Sequence, residues 1–146
     1  MTDRVQLEPM TPADYGAVID LWNTCDGVRA NETPEEFARI LDRNPGLCLV
    51  ARLDGTLAGA IFCCHDGRRG YLYHLGVRPE FRRQSIARQL VDRCLDKLSE
   101  LGIRRCTIFL IRGNNAGEAF WRRYAWQGQN WRERTDLVAF SLELDK

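Results

Sequence analysis

The sequence has little of what marks a secreted, membrane-spanning or metal-binding protein. It has no apolar run near the roughly 20 residues that a membrane helix needs, and residues 1–4 lack an apolar signal core. It has two histidines, and its six cysteines include no Cys-x-x-Cys pair, which argues against a zinc site. We therefore predict a cytoplasmic protein with no metal and no membrane partner, whose cysteines are buried, reduced thiols.

The net charge is also small, but the charge is locally uneven. A formal charge of +1 is too low for a general nucleic-acid-binding surface, so we expect no nucleic-acid partner. Between Arg78 and Arg88, however, there are four arginines and a single acid, Glu80. The chain of 146 residues has no linker or repeat, so we expect residues 1–146 to form a single domain.

The spacing of apolar residues predicts an α/β protein. A strand near Val5 precedes two helices, whose starts are marked by the capping residues Thr11 and Thr33. The pattern then predicts three consecutive strands, a long helix ended by Gly102, a strand covered on both faces, a short helix and two last strands. In that order they cover residues 47–51, 57–64, 71–77, 86–101, 106–111 and 116–123, with the last strands near Asn130 and from Leu137 to Leu144.

The basic stretch falls at the start of the long helix. The first amides of a helix have no intrahelical partner and lie at the positive end of its dipole, so those of residues 83–88 suit a diphosphate. Arg82, Arg83 and Arg88 can add charge-assisted hydrogen bonds. From charge alone, a solvated basic face is the alternative. The chain lacks the Gly-x-x-x-x-Gly-Lys-Ser/Thr loop, which disfavours a nucleotide-phosphate enzyme.

The same stretch resembles the acyl-coenzyme A motif of the GNAT N-acetyltransferase superfamily. Leu75 to Ala87 looks like the family's strand and loop of the form Gln/Arg-x-x-Gly-x-Gly/Ala, which opens a helix. Asn114 and residues 120–126 resemble the second half of the family's pattern, and the likeness to small bacterial members covers nearly the whole chain. It implies the GNAT acyl-CoA N-acyltransferase fold, a mixed, mostly antiparallel sheet of about seven strands with helices on both faces. The family's sheet splits near strands four and five.

The resemblance also implies an activity. It is N-acetyl transfer from acetyl-CoA to a primary amine of a small molecule or peptide, by direct attack in a ternary complex, and it is compatible with a homodimer. The Val77 amide is the implied donor to the thioester oxygen. The implied cofactor contacts are Leu75, Val77, Arg82, Arg83, Gln84, Ser85, Ile86, Ala87, Arg88, Asn114 and Trp121. A catalytically weak acyl-CoA-binding module is the alternative.

Two positions depart from the family pattern. Ser85 stands where the family has glycine, which permits an unusual dihedral or close approach to a phosphate. Serine keeps the amide donor, so we expect binding to survive. Trp121 stands where a tyrosine often protonates the leaving thiolate. An indole is no practical acid, but a thiolate of pKa about 8.5 leaves without one. Tyr124, one turn on, is either a substitute acid or a packing residue.

For the catalytic base the sequence offers only candidates on the third strand of the meander. By period two, Tyr71, Tyr73, Leu75 and Val77 share one face of this strand and His74 lies on the other. Tyr73 can line the acceptor cleft or order a water, and His74 is of the residue type that titrates nearest neutral pH. A structural role is the alternative for His74 and for the His65-Asp66 pair.

Overall fold

The computed structural model describes residues 5–125 and 131–144. They fall into two compact units, one within Met1–Asn114 and one within Asn115–Lys146. The first unit holds five strands and three helices, and the second begins with a fourth helix. In chain order they are β1 (Val5–Pro9), α1 (Tyr15–Asn23), α2 (Pro34–Arg43), β2 (Leu49–Leu53), β3 (Thr56–His65), β4 (Gly70–Val77), α3 (Ile86–Glu100), β5 (Cys106–Ile108) and α4 (Asn115–Ala125).

The five strands form one sheet in chain order, β1-β2-β3-β4-β5. Neighbouring strands are antiparallel as far as β4, and β5 then runs parallel to β4 because α3 crosses over between them. Helices cover both faces. A Cβ on Gly76 of β4 would lie 2.9 Å from Trp22 of α1, whereas one on Gly59 of β3 would meet Ile86 and Leu90 of α3 at 3.2 Å. The predicted mixed, mostly antiparallel α/β sheet is confirmed.

Among the described residues the sheet has five strands, fewer than the expected seven or so. The strand expected near Asn130 lies outside the described residues, and Leu137–Leu144 forms no strand. Its alternating apolar side chains are exposed, Phe140 by 94%. Alternation produces a strand only where a neighbouring strand supplies the backbone ladder, and no described strand pairs with this segment.

The predicted cap forms in full at α2 and in part at Thr11, whose hydroxyl makes no capping bond. At α2 the Thr33 hydroxyl accepts from the Glu36 amide at 3.1 Å, and the Glu36 carboxylate accepts from the Thr33 amide at 2.8 Å. At Thr11 the amide donates to Asp14 at 2.8 Å, but the first turn, Pro12–Asp14, is 3₁₀ and α1 begins only at Tyr15. These two helices pack Trp22 and Phe37 against Phe62 of β3, with ring centroids 4.9 and 5.7 Å apart.

On the opposite face, α3 buries five of the apolar residues whose spacing predicts the long helix: Ile86, Leu90, Val91, Cys94 and Leu98. Leu101, which belongs to the same apolar pattern, lies beyond the end of the helix and is 57% exposed.

The prediction of a covered strand over residues 106–111 is wrong in part. Strand β5 spans only Cys106–Ile108, because it pairs with β4 over three residues. Phe109, which follows β5, is 64% exposed.

All six cysteines are free thiols. Cys25, Cys48, Cys63 and Cys94 are buried as predicted, and Cys64 and Cys106 are half-buried. Burial raises the pKa of the Cys106 thiol to about 12, and the charge of the nearby Cys63 acts in the same direction. This thiol is therefore protonated and unreactive at neutral pH.

Candidate active site

The sheet opens between β4 and β5. Only Gly70, Leu72 and the residue between them pair with β5, while β4 continues to Val77. Beyond Leu72, no described strand lies on that side of β4. The split that the family resemblance implied near strands four and five is present at this point.

Two backbone amides of β4 face this opening. The Arg78 amide donates to the carbonyl of Ala58 at 2.8 Å, which places the Arg78 N–H on the β3 side. Since successive residues of an antiparallel strand direct their N–H groups to opposite sides, the amides of Val77 and Leu75 point away from β3 and into the gap. Both are donors that the described sheet leaves unused.

The loop after β4 is held by its own arginines. The Arg78 Nε donates to the Leu57 carbonyl at 3.0 Å, and the Arg82 Nε donates to the Val77 carbonyl at 3.0 Å. Between them Pro79–Phe81 forms a 3₁₀ turn. These bonds fix the loop to the ends of β3 and β4, so the start of α3 lies beside the open part of the sheet.

Backbone dihedrals explain the glycine of the family pattern. Ser85 has φ 63° and Arg83 has φ 66°, both in the left-handed region that favours glycine. The Ser85 hydroxyl makes no capping bond, and the first helical bond runs from the Gln89 amide to the Ser85 carbonyl. The preceding amides are therefore outside the helical ladder.

Most of the predicted phosphate-binding side chains face solvent. Arg82, Arg83, Gln84 and Ser85 are exposed, and Ala87 and Arg88 are half-buried. The Arg88 guanidinium lies 3.7 Å from the Asp92 carboxylate. Ile86 is 1% exposed, so it can offer a ligand only its amide.

A bulge in β4 changes which side chains share a face. Phe62 pairs with Tyr73 and Ala60 with Gly76, so two residues of β4 stand opposite one of β3. The extra residue is His74, with φ 55°. Tyr73 and His74 therefore lie on the same face, towards α1, and the prediction that they lie on opposite faces is wrong.

The same bulge separates Tyr73 from Leu75 and Val77. Val77 pairs with Gly59, whose face is covered by α3, and Leu75 shares that face by alternation. The period-two prediction of one common face is therefore correct only for Tyr71 and Tyr73, whose rings stack with centroids 6.0 Å apart.

The His74 ring lies in an aromatic setting with one carboxylate. Its centroid is 5.0 Å from that of Trp22 and 5.6 Å from that of Phe62. Its Nε2 is 3.0 Å from the Oε2 of Glu32. Burial acts to raise the pKa of Glu32, but the hydrogen bond and the charge interaction with His74, helped by the backbone amides of Glu32 and Asn31, outweigh it, and the pKa lies below its ordinary value.

The loop between α1 and α2 brings Glu32 to this position. The Tyr15 hydroxyl donates to the Glu32 carbonyl at 2.7 Å. Sequence reasoning missed Glu32, because nothing local links it to a histidine 42 residues away. Gly27 of the same loop lies so close to Asn114 that an added Cβ would be 2.3 Å from the Asn114 amide nitrogen, which places Asn114 against this loop.

Tyr73 borders the same region and is 39% exposed. Burial raises the pKa of its phenol, and the nearby Cys64 and Tyr71 act in the same direction. The phenol is therefore protonated at neutral pH. It can donate a hydrogen bond but is no base there.

The second unit holds the two aromatic candidates of α4. Trp121 and Tyr124 meet edge to face with centroids 5.7 Å apart, and both contact Trp131. Tyr124 also stacks on Phe120 at 5.8 Å and is 3% exposed. These contacts fit the packing role considered for Tyr124, and its role as an acid stays a prediction.

The His65-Asp66 pair has a structural role in the turn before β4. The His65 Nδ1 accepts from the Gly67 amide at 2.9 Å, and the Asp66 carboxylate accepts from the Arg68 and Arg69 amides at 2.9 and 2.8 Å. These backbone bonds lower the pKa of Asp66. The turn adjoins Gly70, at the other end of β4 from Val77.

Within residues 5–125 and 131–144, no group of three or more His, Cys, Asp or Glu side chains could hold a metal ion. The helices in those ranges are all too short or too polar to cross a membrane.

Comparison with known families decides the identity of the fold. The model of the acetyltransferase (GNAT) family matches residues 15–126, from the start of α1 past the end of α4. The chain belongs to the GNAT family. An acetyltransferase of Pectobacterium atrosepticum is 38% identical to this GNAT chain over 104 residues, 70% of this chain and 74% of that one. A Yersinia pestis acetyltransferase is 34% identical over 118 residues, 80% and 84% of the two chains.

Solved GNAT structures share the fold. The PaiA N-acetyltransferase of Thermoplasma acidophilum, crystallised with coenzyme A, matches with a TM-score of 0.71 at 20% identity, over 83% of this chain and 88% of that one. The diaminobutyrate acetyltransferase EctA of Paenibacillus lautus, solved with its substrate and coenzyme A, matches with a TM-score of 0.73 at 19% identity, over 86% and 77%. The protein is thus a GNAT acetyltransferase by family and by fold.

Proposed function

We propose that this GNAT protein transfers the acetyl group of acetyl-CoA to a primary amine of a small molecule or peptide, by direct attack in a ternary complex. The observation that carries the proposal is the gap between β4 and β5, into which the Leu75 and Val77 amides point beside the start of α3. Backbone N–H donors that point into such a gap can bind a ligand such as acetyl-CoA, in which an extended, amide-containing chain is joined to a diphosphate.

The loop supports the diphosphate end. The amides of residues 83–88 precede or begin the α3 ladder, and the left-handed dihedrals at Arg83 and Ser85 fix the direction in which the loop amides point. The exposed guanidiniums of Arg82 and Arg83 add charge-assisted bonds, with Gln84, Ala87 and Arg88 at the rim. From the family pattern, Asn114 and Trp121 complete the cofactor contacts.

The Val77 amide serves the acyl end. Acetyl-CoA supplies a thioester carbonyl, on whose oxygen negative charge develops when an amine attacks. A fixed amide facing that oxygen stabilises the charge without reorganising. The Val77 carbonyl is held by Arg82, and this bond also fixes the direction of the peptide that follows it.

His74 is the base in this proposal. A primary amine of pKa about 10.4 is protonated at neutral pH and must lose a proton before it can attack. The protonated Tyr73 phenol beside His74 orders the acceptor or a water. Trp121 cannot protonate the leaving thiolate. A thiolate is weakly basic and can leave without an acid, and Tyr124 is the candidate for a substitute acid.

The family match runs across both compact units, which supports treating residues 1–146 as one GNAT domain. We further propose a cytoplasmic location, where acetyl-CoA and amine acceptors occur together. A homodimer is compatible with these assignments.

A panel of primary amines tests the activity. Acetyl-CoA is incubated with the full chain and each amine, and free thiol is measured against reactions without amine. Acceptor-dependent thiol release is the expected result. Saturable acetyl-CoA binding with no release above background for any amine would instead identify a catalytically weak acyl-CoA-binding module.

A further inference from the structure

We propose that Glu32 is a positioning residue that holds His74 with its proton on Nε2 and leaves Nδ1 to take the proton of the acceptor amine. This inference rests on the proposed function, in which His74 is the base. It assigns a role to the loop between α1 and α2 that its sequence does not reveal.

The orientation of the ring is fixed from two directions. The left-handed backbone at His74 turns its side chain towards α1. There the ring packs against Trp22, which is fully buried, and Phe62, which is 2% exposed. Against these two buried rings, its Nε2 lies 3.0 Å from the Glu32 carboxylate.

The charge of Glu32 determines the tautomer. An ionised carboxylate only accepts hydrogen bonds, so in the neutral imidazole the facing Nε2 carries the proton and Nδ1 holds the lone pair. The lowered pKa of Glu32 keeps the carboxylate ionised at neutral pH. No described residue bonds Nδ1, and the His74 side chain is 18% exposed, which leaves this nitrogen for an incoming amine.

Packing alone does not account for a carboxylate at this place. The Glu32 Oε1 is buried and has no hydrogen-bond partner among the residues described. Burying that oxygen without a partner costs free energy, and the hydrogen bond and charge interaction of the carboxylate with His74 offset this cost. A role in orienting His74 explains why the charge is there.

The proton transfer balances. The Nδ1 of His74 takes one proton from the substrate ammonium. The lone pair of the resulting substrate amine then forms the bond to the thioester carbon. The carbon–sulfur bond breaks with its electron pair on sulfur. The second proton of the substrate nitrogen passes to solvent, and the imidazolium of His74 releases its proton to solvent before the next cycle begins.

The elements packed around His74 carry other titratable groups, and no hydrogen bond joins them to its ring. They include Cys25 after α1, whose thiol donates to the Val77 carbonyl at 3.6 Å, Cys64 on β3 and Tyr73 on β4. Among the described residues, Glu32 alone makes a side-chain hydrogen bond to the ring. Removing its charge should therefore change how activity depends on pH.

The decisive variant is Glu32→Gln, which keeps the shape of the side chain but removes its charge. We expect kcat to fall by about tenfold or more while the KM for acetyl-CoA is unchanged, and the acidic limb of the kcat/KM profile to move to lower pH. Glu35→Gln, an exposed carboxylate in the first turn of α2, should match the wild type. An E32Q profile that keeps its shape and position would overturn the proposal.

Imidazole ¹⁵N chemical shifts provide a readout that is independent of turnover. The protein has two histidines, so His65→Gln leaves only the His74 signals. In H65Q we expect the Nε2-protonated form of His74, and in the double variant H65Q/E32Q a mixture of the two tautomers. A predominantly Nδ1-protonated ring in H65Q would overturn the proposal.

If E32Q does not fold, Glu32→Asp replaces it, because aspartate keeps the charge. This variant should retain the Nε2-protonated form of His74, and loss of that form would contradict the assignment. An inactive wild type with the expected tautomer would instead refute the proposed function.

Discussion

The two halves of the candidate site are built in different ways. The cofactor half is a contiguous run, from Leu75 to Arg88, and its donors are mainly backbone amides in fixed dihedrals. The catalytic half joins the side chains of His74 and Glu32, 42 residues apart in the chain. The cofactor half can therefore be predicted from a sequence pattern, and changes in its side chains should have small effects. The catalytic half can be identified only from the structure, and changes in either of its two side chains should have large effects.

The largest effect should come from the catalytic half. We expect His74→Gln to lower kcat by about 10² to 10⁴, because the base is lost, while acetyl-CoA affinity stays within about twofold. Stopped assays of thiol release over a range of amine concentrations measure kcat.

The matched control is His65→Gln, which changes the histidine of the turn before β4. It should leave kcat unchanged. A kcat for H74Q equal to that of the wild type would remove His74 from the mechanism and end the division between the two halves.

A smaller effect is expected from one cofactor side chain. Arg83→Ala removes an exposed guanidinium at the start of α3, and we expect acetyl-CoA to bind about three- to tenfold more weakly, because the backbone amides remain. Calorimetric titration measures this. Arg39→Ala, on the exposed side of α2, should bind as the wild type does, and an equal loss in both variants would point to general charge rather than to the loop.

Ser85→Gly tests the backbone account of the loop itself. A non-glycine residue in the left-handed region costs about 1 kcal/mol, so the variant should be more stable by about that amount, a gain of roughly 3 °C in Tm. Acetyl-CoA binding should persist.

Ser99→Gly, in the last turn of α3, makes the same substitution at a residue with helical dihedrals, where we expect a loss of stability instead of a gain. It should cost about 0.5 kcal/mol. If S85G were also destabilising by thermal or urea unfolding, the Ser85 side chain rather than its dihedral would be the important feature of this position.

The smallest effect concerns acid stability. Glu32 has a folded pKa below its ordinary value of 4.5. Its charge therefore stabilises the fold above that pH, and the contribution is lost as the pH falls through the folded value. Urea unfolding of wild type and E32Q should differ at neutral pH and converge below pH 4.5. A difference that grows as the pH falls would contradict the direction of the pKa shift.

Much of the fold followed from local patterns. The caps at Thr33 and Thr11, the stripe of α3 and the meander of β2 to β4 depend on neighbouring residues, and each formed near its predicted place. Where pairing depends on distant strands the patterns failed. Leu137–Leu144 alternates like a strand but has no described neighbour, and β5 stops where β4 leaves it.

The same division explains the site. The motif predicted a loop between a strand and a helix, and the structure has that loop between β4 and α3. The left-handed Ser85 gives the physical reason for glycine in the family pattern. The bulge at His74 has no sequence signature, since a histidine in a strand gives no sign that it adds a residue to the ladder. Without the bulge, neither the orientation of His74 nor its bond to Glu32 could be predicted.

The central claim is that acetyl-CoA is held by the backbone of the Leu75–Arg88 segment, independently of the group that takes the amine proton. Calorimetric titration of acetyl-CoA into the wild type and into H74Q tests it most directly. We predict saturable binding in both, with Kd values within about twofold of each other. No saturable heat in the wild type up to millimolar acetyl-CoA, or its loss in H74Q alone, would contradict the claim.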